Sequence, residues 1–229
     1  MKNKNILVLG GSGFIGKNFV YKSIKNNFIT VVHYKKKINQ IKSKNIRYVN
    51  LDITKSNQFS KKLSLDYDYI LNLSGYVDHS DLNSNGFNVI NNHLIGVFNL
   101  INYYKRSKKL KKFLQIGTGD EYGLNKSPFI ENKREIPSSP YSFSKTSASH
   151  FIEMAYKNIE FPSVACRIFL SYGPYQEYNR LIPQVIYGCL NNLNFSVSSG
   201  IQYRDFCYID DVIRAFESLL LSKNTYGQT

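Results

Sequence analysis

Short apolar runs alternate with amphipathic stretches from the start of the chain to about residue 171, and this rhythm restricts the fold more than any single motif. The runs cover residues 6–9, 29–33, 46–49, 69–73, 113–116 and 164–170. Between most of them lie stretches with helical spacing, among them 17–25, 82–104 and 142–156. Strands alternating with helices make βαβ units, and those units require a parallel sheet with helices on its faces. The expected fold class is α/β, a doubly wound parallel sheet. Three prolines between Pro128 and Pro140 mark a long loop. After Pro174 the rhythm loosens into a helix at 181–190, short strands at 195–197 and 206–209, and a helix at 210–221. At 229 residues and 42% hydrophobic content, the chain suits one domain, or one domain with a small appendage.

The first apolar run leads into Gly10-Gly11-Ser12-Gly13-Phe14-Ile15-Gly16 and then into a helical stretch. Glycines at such a turn let the backbone bend sharply and approach a pyrophosphate with no Cβ in the way. The helix that follows offers free N–H groups and the positive end of its dipole to the phosphates. The position, after a strand and before a helix at the head of a βαβ series, points to a Rossmann-type sheet holding a dinucleotide. Gly10, Gly13, Phe14, Ile15 and Gly16 are the expected phosphate contacts. An acidic residue closing the second strand would accept the adenosine ribose hydroxyls and select NAD. This chain has His33-Tyr34-Lys35-Lys36-Lys37 there instead, so Tyr34 and Lys35 are expected to favour the 2′-phosphate of NADP, with NAD as the alternative.

Tyr141 and Lys145 stand four residues apart, a spacing that places both on one face of a helix. A free phenol, with a pKa of about 10, is a poor base near neutrality. A neighbouring ammonium favours the phenolate and lets the tyrosine exchange a proton with an alcohol or ketone. The pair is informative because it follows the fifth strand of the series.

Together these motifs resemble the extended short-chain dehydrogenase/reductases, specifically the NAD(P)-dependent sugar epimerase/dehydratase family. Asp52-Ile53 is similar to the family's adenine-contacting pair. Leu71-Asn72-Leu73-Ser74-Gly75 is similar to its fourth-strand motif, which runs beside the cofactor at Leu73, Ser74 and Gly75. Residues 117–123, Gly-Thr-Gly-Asp-Glu-Tyr-Gly, resemble the segment carrying the catalytic Ser/Thr, and residues 167–174 and 203–206 resemble two later segments. The resemblance implies that Thr118 bonds the reacting sugar oxygen, that Tyr141 moves its proton, and that Lys145 holds the nicotinamide ribose. It also implies that Gly119, Asp120 and Arg204 contact a nucleotide-sugar substrate. By the same resemblance residues 1–171 form the dinucleotide-binding domain. Residues 172–229 form part of a substrate-binding region, interleaved with the last sheet elements, and the chain stops where relatives continue into another strand. A homodimer is implied, through the helices after the fourth and fifth strands.

Departures from the family pattern refine the expectation. Sugar 4,6-dehydratases carry an acidic pair after the threonine, whereas here Gly119-Asp120 follows. Leu170 and His93 each stand where relatives commonly have asparagine. With no acid after the second strand, the favoured activity is NADPH-dependent reduction of a 4-keto-6-deoxy sugar. The alternatives are a nucleotide-sugar 4-epimerase or 4,6-dehydratase with retained cofactor, and a non-catalytic NADP-binding module.

The formal charge of +14 raises the question of nucleic acid, but 23 of the 30 basic residues are lysines scattered through the chain, with no nucleic-acid motif. A general attraction for polyanions such as nucleotide phosphates is the expectation. Cys166, Cys189 and Cys207 are far apart and odd in number, so neither a disulfide framework nor a metal site is expected. No run is long enough for a signal-peptide core or a membrane span, and a cytoplasmic setting is expected.

Overall fold

The structure, a computed structural model, describes residues 1–34 and 37–229. Among them, strands β1 (Asn5–Leu9), β2 (Phe28–His33), β3 (Ile46–Asn50), β4 (Tyr69–Asn72), β5 (Lys112–Thr118) and β6 (Ser163–Ile168) form one parallel sheet. Its strand order is β3-β2-β1-β4-β5-β6. The chain winds outward from β1 in one direction and then from β4 in the other. The loops that leave β1 and β4 therefore part to opposite faces and open a crevice at the carboxyl ends of those strands.

Period-two alternation builds the two cores. Leu7, Leu9, Val32, Ile70 and Phe113 face one side, against α4 (Gly96–Tyr104) and α5 (Pro140–Ile159). Ile6, Val8, Val31, Leu71 and Leu114 face the other, against α1 (Phe14–Ser23) and α7 (Ile209–Leu221). Ile6 to Leu9 are fully buried, which is why β1 reads as a continuous apolar run rather than an alternating one. Lys22 and Asp210 pair at 2.7 Å and tie α1 to the acidic first turn of α7. A short α2 (Phe59–Lys62) follows β3, β7 (Leu170–Tyr172) pairs with β8 (Phe206–Tyr208) in a small separate ladder, and α6 (Leu181–Leu190) follows the loop after β7.

Some expected elements differ. The helix foreseen at 82–104 begins only at Gly86, as α3 (Gly86–Ile90). Asp78 and Asp81 hold the preceding residues in a turn: Asp78 accepts from Ser80 N and Asn85 Nδ2, both at 2.8 Å, and the Asp81 carbonyl accepts from Gly86 N at 2.9 Å. Such local bonds compete with helix formation. Asn91–Ile95 then form a wide π turn before α4. The run at 164–170 divides, with β6 ending at Ile168 and β7 starting at Leu170. Residues 195–197 are not a strand. Phe195 instead lies against Gly188 of α6, the place a Cβ on Gly188 would occupy.

Candidate active site

The phosphate loop joins β1 to α1 at the crevice. Gly10 adopts φ +72°, a left-handed conformation that only glycine takes without strain, and a Cβ there would stand 2.5 Å from the Leu73 carbonyl. A Cβ on Gly16 would stand 2.5 Å from both the Gly10 carbonyl oxygen and the Gly11 Cα. The first turn of α1 is thus drawn tightly against the loop. Gly13 caps the helix, and the helical hydrogen bond that runs back to the cap is Lys17 N to the Gly13 carbonyl, at 2.9 Å. The N–H groups of Phe14, Ile15 and Gly16 belong to the orphan donors of a helix start, and no acidic side chain occupies that turn. This cradle fits a dinucleotide pyrophosphate.

From Gly10 the site continues across the sheet through packed residues. Leu73 N donates to the Leu9 carbonyl at 3.0 Å, and both the backbone N and the hydroxyl of Ser74 bond the Asn72 side chain. Gly75 leaves room for the His93 ring. His93 stands edge-on to Tyr141 at 5.2 Å between ring centroids, and His79 does so from a second direction at 5.4 Å. Tyr141 lies in the first turn of α5, which Ser139 and Ser142 close with a reciprocal capping box behind Pro140. Thr118, at the end of β5, accepts from Asp120 N at 3.3 Å, and its hydroxyl favours the ionised form of Tyr141.

The electrostatics differ from the expectation that Lys145 would depress the tyrosine. Burial, then the charge on Asp120, push Tyr141 up to about 12. Lys145 does not offset this: its Nζ lies 6.0 Å from the Tyr141 ring centroid and donates to the Ile116 carbonyl at 3.1 Å. Helical spacing brought both side chains to one face, but the ammonium settled on β5 instead of at the phenol oxygen. Burial in turn lowers Lys145 to about 8, opposed by Glu121. With protein groups alone, Tyr141 is a proton donor at neutral pH. The positive charge of a bound oxidised nicotinamide is what would favour its ionised form.

His93 is buried in the π turn and is held neutral, its pKa lowered to about 3 by burial and then by Lys145. Its Nε2 lies 3.0 Å from the Tyr76 carbonyl, which can only accept, so Nε2 carries the hydrogen and Nδ1 is a bare acceptor. Nδ1 has no partner among the described residues.

Sequence reasoning singled out neither Glu121 nor the full role of Arg167. Glu121 is entirely buried. One carboxylate oxygen accepts from the Thr118 N–H at 2.9 Å, and the other accepts from Ser149 Oγ at 2.9 Å and Arg167 Nε at 2.8 Å. Arg167 also bonds Glu135 and the Glu131 carbonyl, and its guanidinium lies over the Tyr122 ring. This clamp fixes the backbone of Thr118 and fastens the 124–139 loop to β6. Breaking one partner of a buried pair costs about 3–5 kcal/mol. The only sequence signal was an acid beside the Tyr-Gly of residues 122–123, and spacing did not reveal that it points inward.

Other expected contacts lie further off. Asp52 accepts from both Thr54 N (3.0 Å) and Thr54 Oγ1 (2.7 Å), while the Ile53 side chain packs on Gly96 and its carbonyl accepts from Asn99. Tyr34 is exposed at the end of β2, and Lys35 lies outside the described residues. Gly119 is covered by the Phe169 ring. Arg204 is exposed, its guanidinium turned to the Tyr203 carbonyl at 3.1 Å, so the structure does not bring it to Thr118 and Tyr141.

The sequence profile of the NAD dependent epimerase/dehydratase family matches residues 6–228. The chain belongs to this family. It is 30% identical over 254 aligned residues to dTDP-D-glucose 4,6-dehydratase of Dictyostelium discoideum, covering 98% of the chain and 57% of that relative. It superposes with TM-score 0.82 and 26% identity on the dTDP-glucose 4,6-dehydratase of Bacillus anthracis, solved in complex with NAD, over 98% of the chain and 74% of that structure. UDP-glucuronic acid 4-epimerase of Bacillus cereus, solved with UDP-glucuronic acid and NAD, gives TM-score 0.81 and 26% identity over 96% and 74%. The chain thus spans little more than half the length of the curated relative and three quarters of the solved ones. These comparisons favour an epimerase or dehydratase over the simple reductase expected from the sequence. No helix among the described residues is long and apolar enough to cross a membrane.

Proposed function

We propose that this family member oxidises and re-reduces a nucleotide-linked sugar at C4 with a retained dinucleotide, as a 4-epimerase or 4,6-dehydratase. The observation that carries the reading is the first turn of α5, which sets Tyr141 one turn from Lys145, itself bonded to the Ile116 carbonyl of β5, beside the Gly10–Ser74 crevice. A bound NAD supplies hydride transfer at the sugar carbon. Thr118 holds the C4 oxygen, and Tyr141 takes its proton and later returns it. Lys145 holds the ribose and keeps its charge beside the ring. Gly13, Phe14, Ile15 and Gly16 hold the pyrophosphate, while Asp52 and Ile53 line the adenine side. Gly119 and Asp120 border the sugar, and Arg204 binds its diphosphate. Residues 1–171 serve as the cofactor domain and 172–229 as part of the substrate side. The setting is cytoplasmic, and two copies pair through the outer faces of α4 and α5.

A second reading is NADPH-dependent reduction of a 4-keto-6-deoxy sugar. The lack of an acid at His33-Tyr34 and the neutral, proton-donating Tyr141 favour it. The two separate on stoichiometry. The proposal expects turnover of dTDP-glucose or a UDP-hexose with no added reductant, and nucleotide released on denaturing the purified chain. Tyr141→Phe abolishes turnover and keeps the nucleotide. Consumption of one NADPH per sugar, or undiminished turnover in the variant, overturns it.

A further inference from the structure

His79 was not part of any motif, yet the structure places it at the mouth of the site. It belongs to the loop between β4 and α3, whose course is set by the Asp78 bonds to Ser80 and Asn85 described above. From there its ring meets the Tyr141 ring edge to face, while its Nε2 lies 4.0 Å from Asp120 Oδ2. Asp120 in turn is positioned by the short helical turn after β5, where its N–H donates to Thr118 Oγ1 at 3.3 Å. Three chemistry-bearing elements thus meet: the loop after β4, the turn after β5 and the first turn of α5.

Exposure divides the labour among them. Tyr141 is only 6% exposed, whereas the His79 and Asp120 side chains are 58% and 50% exposed. An exposed pair this loose contributes little to stability. It is, however, open to a sugar whose C4 oxygen sits on Thr118 and Tyr141. The carboxylate faces Nε2, so a hydrogen bond to it as the gap closes orients the ring and leaves Nδ1 as the acceptor of a neutral imidazole.

We propose that His79, oriented by Asp120, is the second proton-transfer residue of this site and acts on the carbon next to the C4 carbonyl. The inference rests on the C4 redox reading above. In the step, the C–H bond beside the ketone breaks and its proton goes to Nδ1 of His79. The electron pair forms the C=C bond of an enolate, whose oxygen is held by the Thr118 and Tyr141 hydroxyls. Return of the proton from the imidazolium regenerates the ketone, and protonation from solvent-exchanged imidazolium leaves a solvent hydrogen on that carbon.

The test supplies the ketone directly, so that it does not depend on hydride transfer. The chain is incubated in D2O with dTDP-4-keto-6-deoxyglucose and with its UDP counterpart, and deuterium next to the carbonyl is followed by mass spectrometry. The wild-type chain is expected to exchange well above the enzyme-free rate with at least one of them. His79→Gln is expected to lose about a hundredfold or more, the scale of general acid–base catalysis. His79→Gly opens a solvent-facing gap, and added imidazole is expected to restore exchange, a recovery that a merely structural role would not show. Wild-type exchange no faster than the enzyme-free rate, His79→Gln exchanging at the wild-type rate, or no recovery with imidazole overturns the proposal. Oxidation of the parent sugar, followed separately by cofactor absorbance, reports on the C4 reading alone.

Discussion

Burial holds the His93 imidazole neutral, with a pKa of about 3 against the 6.5 of a free ring. Between those values the unfolded chain binds one more proton than the folded one, so stability is complete above the unfolded value and falls as the pH drops toward the folded one. About 2 kcal/mol is lost at about pH 5 by this route. His93→Asn is expected to flatten that dependence, read as a smaller difference between urea midpoints at neutral and acid pH. Lys145 acts in the same direction at higher pH. Its pKa of about 8 lies below the ordinary 10.5, so the folded state bears a buried charge below the lower value and stability rises with pH between the two. Lys145→Met removes that burden and is expected to gain about 2–3 kcal/mol at neutral pH in denaturant unfolding, while turnover is lost. The Ile116 carbonyl keeps the Gln115 Nε2 bond at 3.0 Å, so the variant leaves no orphaned acceptor there. The shared helix face of Tyr141 and Lys145 was legible from their four-residue spacing, whereas Thr118 was expected only through the family resemblance. Glu121, His79 and the direction of the Tyr141 shift were not legible, because each depends on which distant group lies opposite.

Among the elements, the loop between β1 and α1 is the least tolerant. A side chain on Gly16 meets main-chain atoms at 2.5 Å, which no rotamer change relieves. Gly16→Val is expected to weaken dinucleotide affinity by about a hundredfold, some 2.7 kcal/mol, in calorimetric titration of nucleotide-stripped protein. Helix starts show how local chemistry sets boundaries. α5 starts at Pro140 because Ser139 caps it, a signal present in the sequence. α3 starts at Gly86, later than its apolar spacing predicts, because the turn held by Asp78 and Asp81 uses the residues before it. The π turn at Asn91–Ile95 has no sequence signature at all. It places His93 between Gly75 and Tyr141.

At the scale of the whole molecule, the outer faces of α4 and α5 carry Phe98 and Met154 half exposed, with Phe98 against Phe151 at 5.4 Å. Phe98→Asp is expected to shift a paired species to the monomer in sedimentation velocity, with the cofactor cradle intact; an unchanged sedimentation coefficient would dismiss this pairing. The sequence by itself determined the parallel sheet, the strand that starts it, the glycine cradle and the family, because these follow from periodicity and from short motifs that act within a single βαβ unit. Only the tertiary structure decided the charge state of Tyr141, the clamp from Glu121 through Arg167 to Glu135, and the meeting of His79 with Asp120. Those depend on side chains separated by tens of residues, whose desolvation and partners exist only once the loops after β4 and β5 and the start of α5 share one crevice.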